Sequence, residues 1–320
     1  MRGFEPVPAL MKRETLPALL ALTGAIVSWS SIPLFLKYFT GYLDAWTVNG
    51  IRYGLAALML LPVLRPQPAR QTPGTSLWKA ALVPALINTA GQVGWGLIPY
   101  FVSASVMGFG IRASFFFTLA GSLLLLPEER YLFRSRAFWC GSAVCIAGVS
   151  SLFWGSLRQS TASLPGLLLL LLASGVWGFY GVSVRRFMRG HPPHRAFAAI
   201  CLYTATLVCI LMFAVGRFAA LGTLSPGLFS MLFVSAVLGI AVAHVLMIYV
   251  LNRLGAVVEA GAEMATPFLT FCGASLIFGE RLSPLQWAGG LGVVLGCALM
   301  ILAHKAKPEL AVSTDALGID

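Results

Sequence analysis

Apolar residues run along most of this chain in blocks of about twenty, broken by short polar segments that hold most of the charge. The blocks fall near residues 16–36, 43–64, 77–99, 101–126, 136–155, 165–185, 196–217, 226–251, 255–279 and 284–303. Each is close to the ~20 residues an α-helix needs to cross ~30 Å of hydrocarbon. The run from Leu77 to Leu126 is too long for one crossing, about 75 Å as a single helix. It must turn back, and Pro99-Tyr100 is the expected turn. The polar sequence Asn252-Arg253-Leu254-Gly255 divides 226–279 in the same way. The pattern predicts an all-α integral membrane protein of ten transmembrane helices.

Composition agrees with lipid as the main solvent. The 320 residues are 58% hydrophobic and 10% charged, with mean hydropathy +0.85, whereas a soluble domain has about 25% charged residues. The net charge of +11 could suggest nucleic acid. The basic residues, however, sit in short clusters between apolar runs, where they meet lipid headgroups, so the expected partners are a bilayer and no nucleic acid. Six cysteines all lie within apolar runs and read as small hydrophobes, with neither a disulfide framework nor a metal site. Arg2, Lys12 and Arg13 precede the first run as in a signal peptide, but no small-residue cleavage site follows at Lys37-Tyr38. The segment is read as the first span.

With the N-terminus inside, 16 of the 22 Lys and Arg residues fall in cytoplasmic segments, among them Arg185, Arg186, Arg189 and Arg195. The opposite side holds Lys37, Arg158, Arg217 and Arg281, while Arg52 and Arg112 lie inside spans. The positive-inside rule then places both termini in the cytoplasm of a multi-pass inner-membrane protein.

The two halves repeat. Trp29 and Trp177, Lys37 and Arg185, Trp139 and Trp287, Gly141 and Gly289, and Gly148 and Gly296 are all 148 residues apart. Glu129-Arg130 and Glu280-Arg281 are 151 apart, which a three-residue loop difference explains. Five spans per half is an odd number, so the second copy enters the membrane upside down relative to the first. This divides the chain into a cytoplasmic segment 1–15, five-helix repeats at 16–155 and 165–304, and a cytoplasmic tail 305–320. Inverted repeats are the plan of many secondary transporters, whose sites lie near the midplane between the repeats. A small-molecule solute is the implied partner. There is no G-x-x-x-x-G-K-[ST] phosphate loop and no extramembrane segment beyond about 16 residues, so no nucleotide and no other cofactor is expected. A membrane-embedded enzyme acting on lipid would need an interfacial His, Asp or Ser cluster that the sequence does not offer. A passive channel is the other alternative.

The ten-span plan, the Trp opening each half, Arg52 in the second helix and a Glu-Arg pair closing the fourth helix of each half resemble the EamA-type members of the drug/metabolite transporter superfamily. The likeness extends over residues 16–304 and includes the Gly-rich fifth and tenth helices. It implies a secondary transporter, typically an exporter of amino acids, other metabolites or drugs, that is not an enzyme. There are departures, of which one is that Arg112, Glu259 and Glu263 inside spans are more charge than the family's pattern requires. The family usually carries a Pro in each fourth helix, which Pro267 supplies in the second half, whereas the first half has Arg112, Ala113 and Ser114.

A charge at mid-bilayer costs ~2.5–3.5 kcal/mol on insertion scales, so it should face a cavity or a partner. Arg112 maps onto Glu263 at the 151-residue spacing, which predicts a central ion pair that ties the repeats together or gates them. Glu259 and Glu263 are i and i+4 on one helical face, suited to carrying a proton or holding a substrate amine. Glu259 stands close enough to the loop to be an interfacial carboxylate instead. His244 is the histidine deepest in a span, and could bond substrate or a backbone carbonyl. Asn49, Arg52 and Tyr53 in the second span, and Asn88 and Gln92 with Trp95 in the third, form polar faces directed at a lumen or at helix contacts. Trp29, Trp177 and Tyr180 lie away from headgroup depth and either wall the cavity or pack the core. Gly141, Gly148, Gly289, Gly292 and Gly296 read as close helix contacts or a homodimer face.

Overall fold

The computed structural model describes residues 7–65, 76–102, 104–158, 163–270, 272 and 283–305. Its described elements are helices and their connections. Eight helices are long and apolar enough to cross a membrane: α1 (Leu16–Phe39), α2 (Ala45–Leu64), α3 (Leu77–Tyr100), α4 (Val106–Leu125), α6 (Leu164–Phe187), α7 (Pro193–Val215), α8 (Pro226–Leu254) and α10 (Pro284–His304). Two further helices correspond to the other expected spans. In α5 (Arg136–Arg158) the segment Arg136–Leu152 is apolar but shorter than those eight among the described residues. The ninth, α9, begins at Ala256–Ala262 and passes through a tighter turn at Glu263–Ala265. Most of its expected second half, along with Glu280-Arg281, lies outside the described residues.

Local chemistry sets these boundaries. Asp44 caps α2 by accepting from the Trp46 and Thr47 N–H groups at 3.0 Å, and its other oxygen takes the Arg217 N–H at 2.9 Å. Ser163 and Ser225 cap α6 and α8, each followed by a proline in the first turn, where the missing N–H costs nothing. The long run 77–126 breaks at Ile98–Tyr100, as the proline predicts.

The helices pair reciprocally. α1 lies along α8 and α3 along α6, while α2 packs on α7, α4 on α9 and α5 on α10. At the α5–α10 crossing, Gly141 faces the Gly296 carbonyl and Gly148 faces the Gly289 carbonyl. A Cβ on Gly141 or Gly148 would meet those oxygens at 2.7 and 2.5 Å, so the backbones approach as only glycine permits. The glycine faces are thus buried within the chain. Cys145, between them, hydrogen-bonds the Val293 carbonyl at 3.5 Å, and Val293 is the residue 148 positions on. Leu58, Leu86, Leu124, Leu172, Phe213 and Leu291 point outward, giving the bundle an apolar exterior.

One end of the bundle is tied across the halves. Glu129, in the short helical segment Pro127–Arg134 after α4, accepts from the Ala256 and Val257 N–H groups at 2.8 and 2.9 Å and so caps α9. The Arg185 Nε of α6 stands 3.7 Å from the same carboxylate. Burial pushes the Glu129 carboxyl above the usual range, against the pull of those N–H groups and Arg185. Gly255, at φ +85°, makes the turn from α8 to α9, and a Cβ there would meet Glu129 at 2.7 Å.

Candidate functional site

A cavity of about 290 Å³ occupies the middle of the bundle. Its wall includes the late part of α1, the early part of α2, the late part of α3 and the first half of α4. α6, α8 and α9 supply the rest. Because successive helices alternate in direction, these positions place most of the wall between mid-depth and the end where α1 finishes, with Glu259 reaching toward the opposite end. The Glu129 layer lies at the other end.

Nine of the eleven sequence-predicted site residues line this space: Trp29, Arg52, Gln92, Arg112, Trp177, Tyr180, His244, Glu259 and Glu263. Asn49 and Asn88 stand behind the lining as ties between helices. Asn49 donates to the Gln92 carbonyl at 2.8 Å. Asn88 donates to the Thr204 hydroxyl at 3.0 Å and the Tyr53 hydroxyl at 3.1 Å, joining α3 to α7 and α2. Their polarity satisfies neighbouring buried groups, as expected where water cannot reach.

The centre of the wall is aromatic. The His244 ring stacks on Phe197 with centroids 4.6 Å apart and meets Trp29, Trp177 and Tyr180 at 5.4, 6.2 and 6.0 Å. Trp29 and Trp177, equivalent in the sequence repeat, therefore converge on one residue. Just before His244, α8 widens into a π-helical turn, Val237–Val242, a local loosening of the helical ladder often found at functional positions. The neighbouring carbonyls take side-chain donors. Trp29 Nε1 bonds Gly239 at 3.2 Å, Arg52 Nη2 bonds Ser235 at 3.4 Å, and His244 Nδ1 lies 3.1 Å from Ile240 oxygen. His244 Nε2 and the Tyr180 hydroxyl are buried and have no hydrogen-bond partner among the described residues.

Besides Arg52 of α2, the charge of the wall belongs to α4 and α9. Arg112 Nη1 donates to the main-chain carbonyl of Glu263 and stands 4.0 Å from that residue's carboxylate. The sequence-expected pair thus meets, with its closest hold on the backbone. Glu259 and Glu263, one helical turn apart on α9, both line this part of the wall. Glu259 is only 4% exposed and approaches Gly181 of α6, so it belongs to the interior.

The structure also adds Ser114, Thr118, Met247, Thr266 and Thr270 to the lining, and brings Trp95 and Pro267 there. The hydroxyl residues had a weak signal in the sequence, since Ser and Thr occur throughout membrane helices by bonding their own backbone. Thr118 donates to the Gly178 carbonyl at 3.1 Å and Thr270 to the Ser30 carbonyl at 2.7 Å, both across helices. Among the described residues, no three His, Cys, Asp or Glu side chains come together as a metal site.

Comparison with known proteins matches residues 164–302 to the EamA-like transporter family. Over 309 residues, 93% of this chain and 96% of the other, the sequence is 24% identical to an uncharacterized inner membrane transporter, YedA, of Escherichia coli. Over 229 residues, 68% of this chain and 73% of the other, it is 23% identical to a probable amino-acid metabolite efflux pump of Salmonella typhimurium. A crystal structure superposes with a TM-score of 0.69 over 91% of this chain and 98% of that one, at 18% identity, and thereby matches the fold.

Proposed function

The chain belongs to the EamA-like transporter family, and on that premise we propose that it is a secondary carrier exporting small metabolites, such as amino acids or amphipathic compounds, across the inner membrane. It is a membrane transporter and not an enzyme. The observation that carries the proposal is the cavity itself, where carboxylates, guanidinium groups and aromatic rings from both halves of the chain meet at mid-depth. A static scaffold gains nothing from burying Arg52, Arg112, Glu259 and Glu263 at the cost lipid imposes.

In this reading, ten helices form two oppositely inserted repeats, 16–155 and 165–304, with both termini cytoplasmic. The reciprocal pairing of α1 with α8 and α6 with α3, and the crossed glycine contacts of α5 and α10, support it. Copies inserted in opposite senses bring their equivalent helices together antiparallel, as Gly141–Gly296 and Gly148–Gly289 do. Rocking of one bundle against the other then exposes the cavity to each side in turn. The Glu129–Arg185–α9 tie closes the cytoplasmic side in the present state. Glu259 and Glu263 receive a substrate amine or a coupling proton, and the ring cluster around His244 packs against an apolar side chain. The name of the Salmonella relative favours amino acids as the first solutes to test.

The test is counterflow of amino acids and amphipathic amines by the purified chain in liposomes, wild type and Glu263→Gln. A saturable, counterflow-competent flux is expected, with at least about tenfold slower exchange in Glu263→Gln, as for loss of one charged hydrogen bond. Flux without saturation or counterflow would identify a channel, and failure of every solute would end the carrier reading.

A further inference from the structure

Arg112 has the α9 carboxylates beside it, but Arg52 does not. Its side chain enters the cavity wall from α2 and is 2% exposed. Its hydrogen bond among the described residues is the long one from Nη2 to the Ser235 carbonyl, and its Nε has no partner. Among the described residues it takes part in no ion pair within 4.0 Å. A guanidinium presents five donors in a fork that fits a carboxylate, so most of this fork's capacity is unused. Two other unmatched polar atoms belong to residues of the same cavity wall, His244 Nε2 and the Tyr180 hydroxyl, whose rings meet at 6.0 Å. Trp29 and Arg52 hold carbonyls one turn apart on α8, those of Gly239 and Ser235.

We propose that Arg52 is the receptor for the anionic group of the transported solute. The cavity is then bipolar. A carboxylate lodges against α2 and α8, while an ammonium faces Glu259 and Glu263 on α9. Arg52 thereby selects solutes that carry a carboxylate over amides or amines of the same shape. The inference rests on the carrier reading and adds a residue-level basis for selectivity.

Each amino acid that supports counterflow is compared with its own amide in liposomes holding wild type, Arg52→Gln or Arg52→Lys. Wild type should prefer the acid by about 10- to 100-fold in half-saturation, the range of a charge-assisted hydrogen bond. Arg52→Gln should bring the two solutes level. If Arg52→Gln does not fold, Arg52→Lys keeps the charge without the fork, and should weaken the acid while leaving the amide unchanged. Equal acceptance of acid and amide by wild type, a preference that survives in Arg52→Gln, or an equal effect of Arg52→Lys on both solutes would overturn the proposal. Arg52 would then serve only to hold the α8 turn. Carboxylate binding is also read without transport, as a change in tryptophan fluorescence on adding acetate over matched chloride to protein in detergent. A response in wild type that Arg52→Gln or Arg52→Lys diminishes supports the proposal even if no solute is carried, and no response in wild type overturns it.

Discussion

Arg112 and Glu263 differ in how each can be replaced. The arginine holds the main-chain oxygen of residue 263 more closely than its carboxylate, so a change confined to the Glu263 side chain keeps that hold. Arg112→Ala removes it and leaves a carbonyl between α4 and α9 without its donor. We expect Arg112→Ala to destabilise the protein by about 1–3 kcal/mol and Glu263→Gln to leave stability nearly unchanged. Thermal melts of both variants in one detergent check this, and equal melting temperatures would contradict it. Asn88 belongs with Arg112 in this respect. Its donors join three helices away from the cavity, so Asn88→Ala should cost stability, about 1–3 kcal/mol, without changing the ratio of solutes carried.

At the scale of elements, the α5–α10 crossing is the contact least able to yield. A Cβ on Gly296 would lie 2.6 Å from both the Gly141 carbonyl and the Cys145 sulfur. Neither the carbonyl nor the closely held helix can retreat without parting the pair. Gly296→Ala should therefore lower stability by about 1–3 kcal/mol, the usual cost of overpacking. Gly292→Ala, whose added atom meets its nearest neighbour at 3.9 Å, should be tolerated. Melting both variants in parallel separates a packing requirement at position 296 from a general preference for glycine. The two glycines are i and i+4 and look equivalent along the chain; the facing helix makes them different.

For the whole molecule, the decisive property is the opposed insertion of the two halves. Gly41 lies in the connection between α1 and α2, and the residue 148 positions on, Arg189, lies between α6 and α7. Gly41→Cys and Arg189→Cys, each in a Cys140→Ser background that removes an exposed thiol, should be labelled by an impermeant maleimide from opposite faces. The first should react in intact cells and the second only after permeabilisation. Labelling of both from one side would overturn the inverted arrangement and the carrier mechanism built on it.

The linear pattern was sufficient for the eight membrane-length helices and most of their ends, because in lipid the backbone must satisfy itself and an apolar run near twenty residues becomes a helix. It also marked most of the cavity wall, since a charge or large polar ring within such a run needs somewhere to go, as Arg52, Arg112, His244 and Glu259 show. Periodicity could not say which polar residues meet one another and which meet the lumen. Asn49 and Asn88 share the composition of the wall yet tie helices behind it, while Thr118 and Thr266 line it with only a weak mark in the sequence. The α8 π-turn, the exchange of glycine partners between α5 and α10, and the capping of α9 by Glu129 join residues distant along the chain. Tertiary packing alone decided them, because a hydrogen bond or a steric limit depends on what stands opposite, and one helix carries no record of its neighbour.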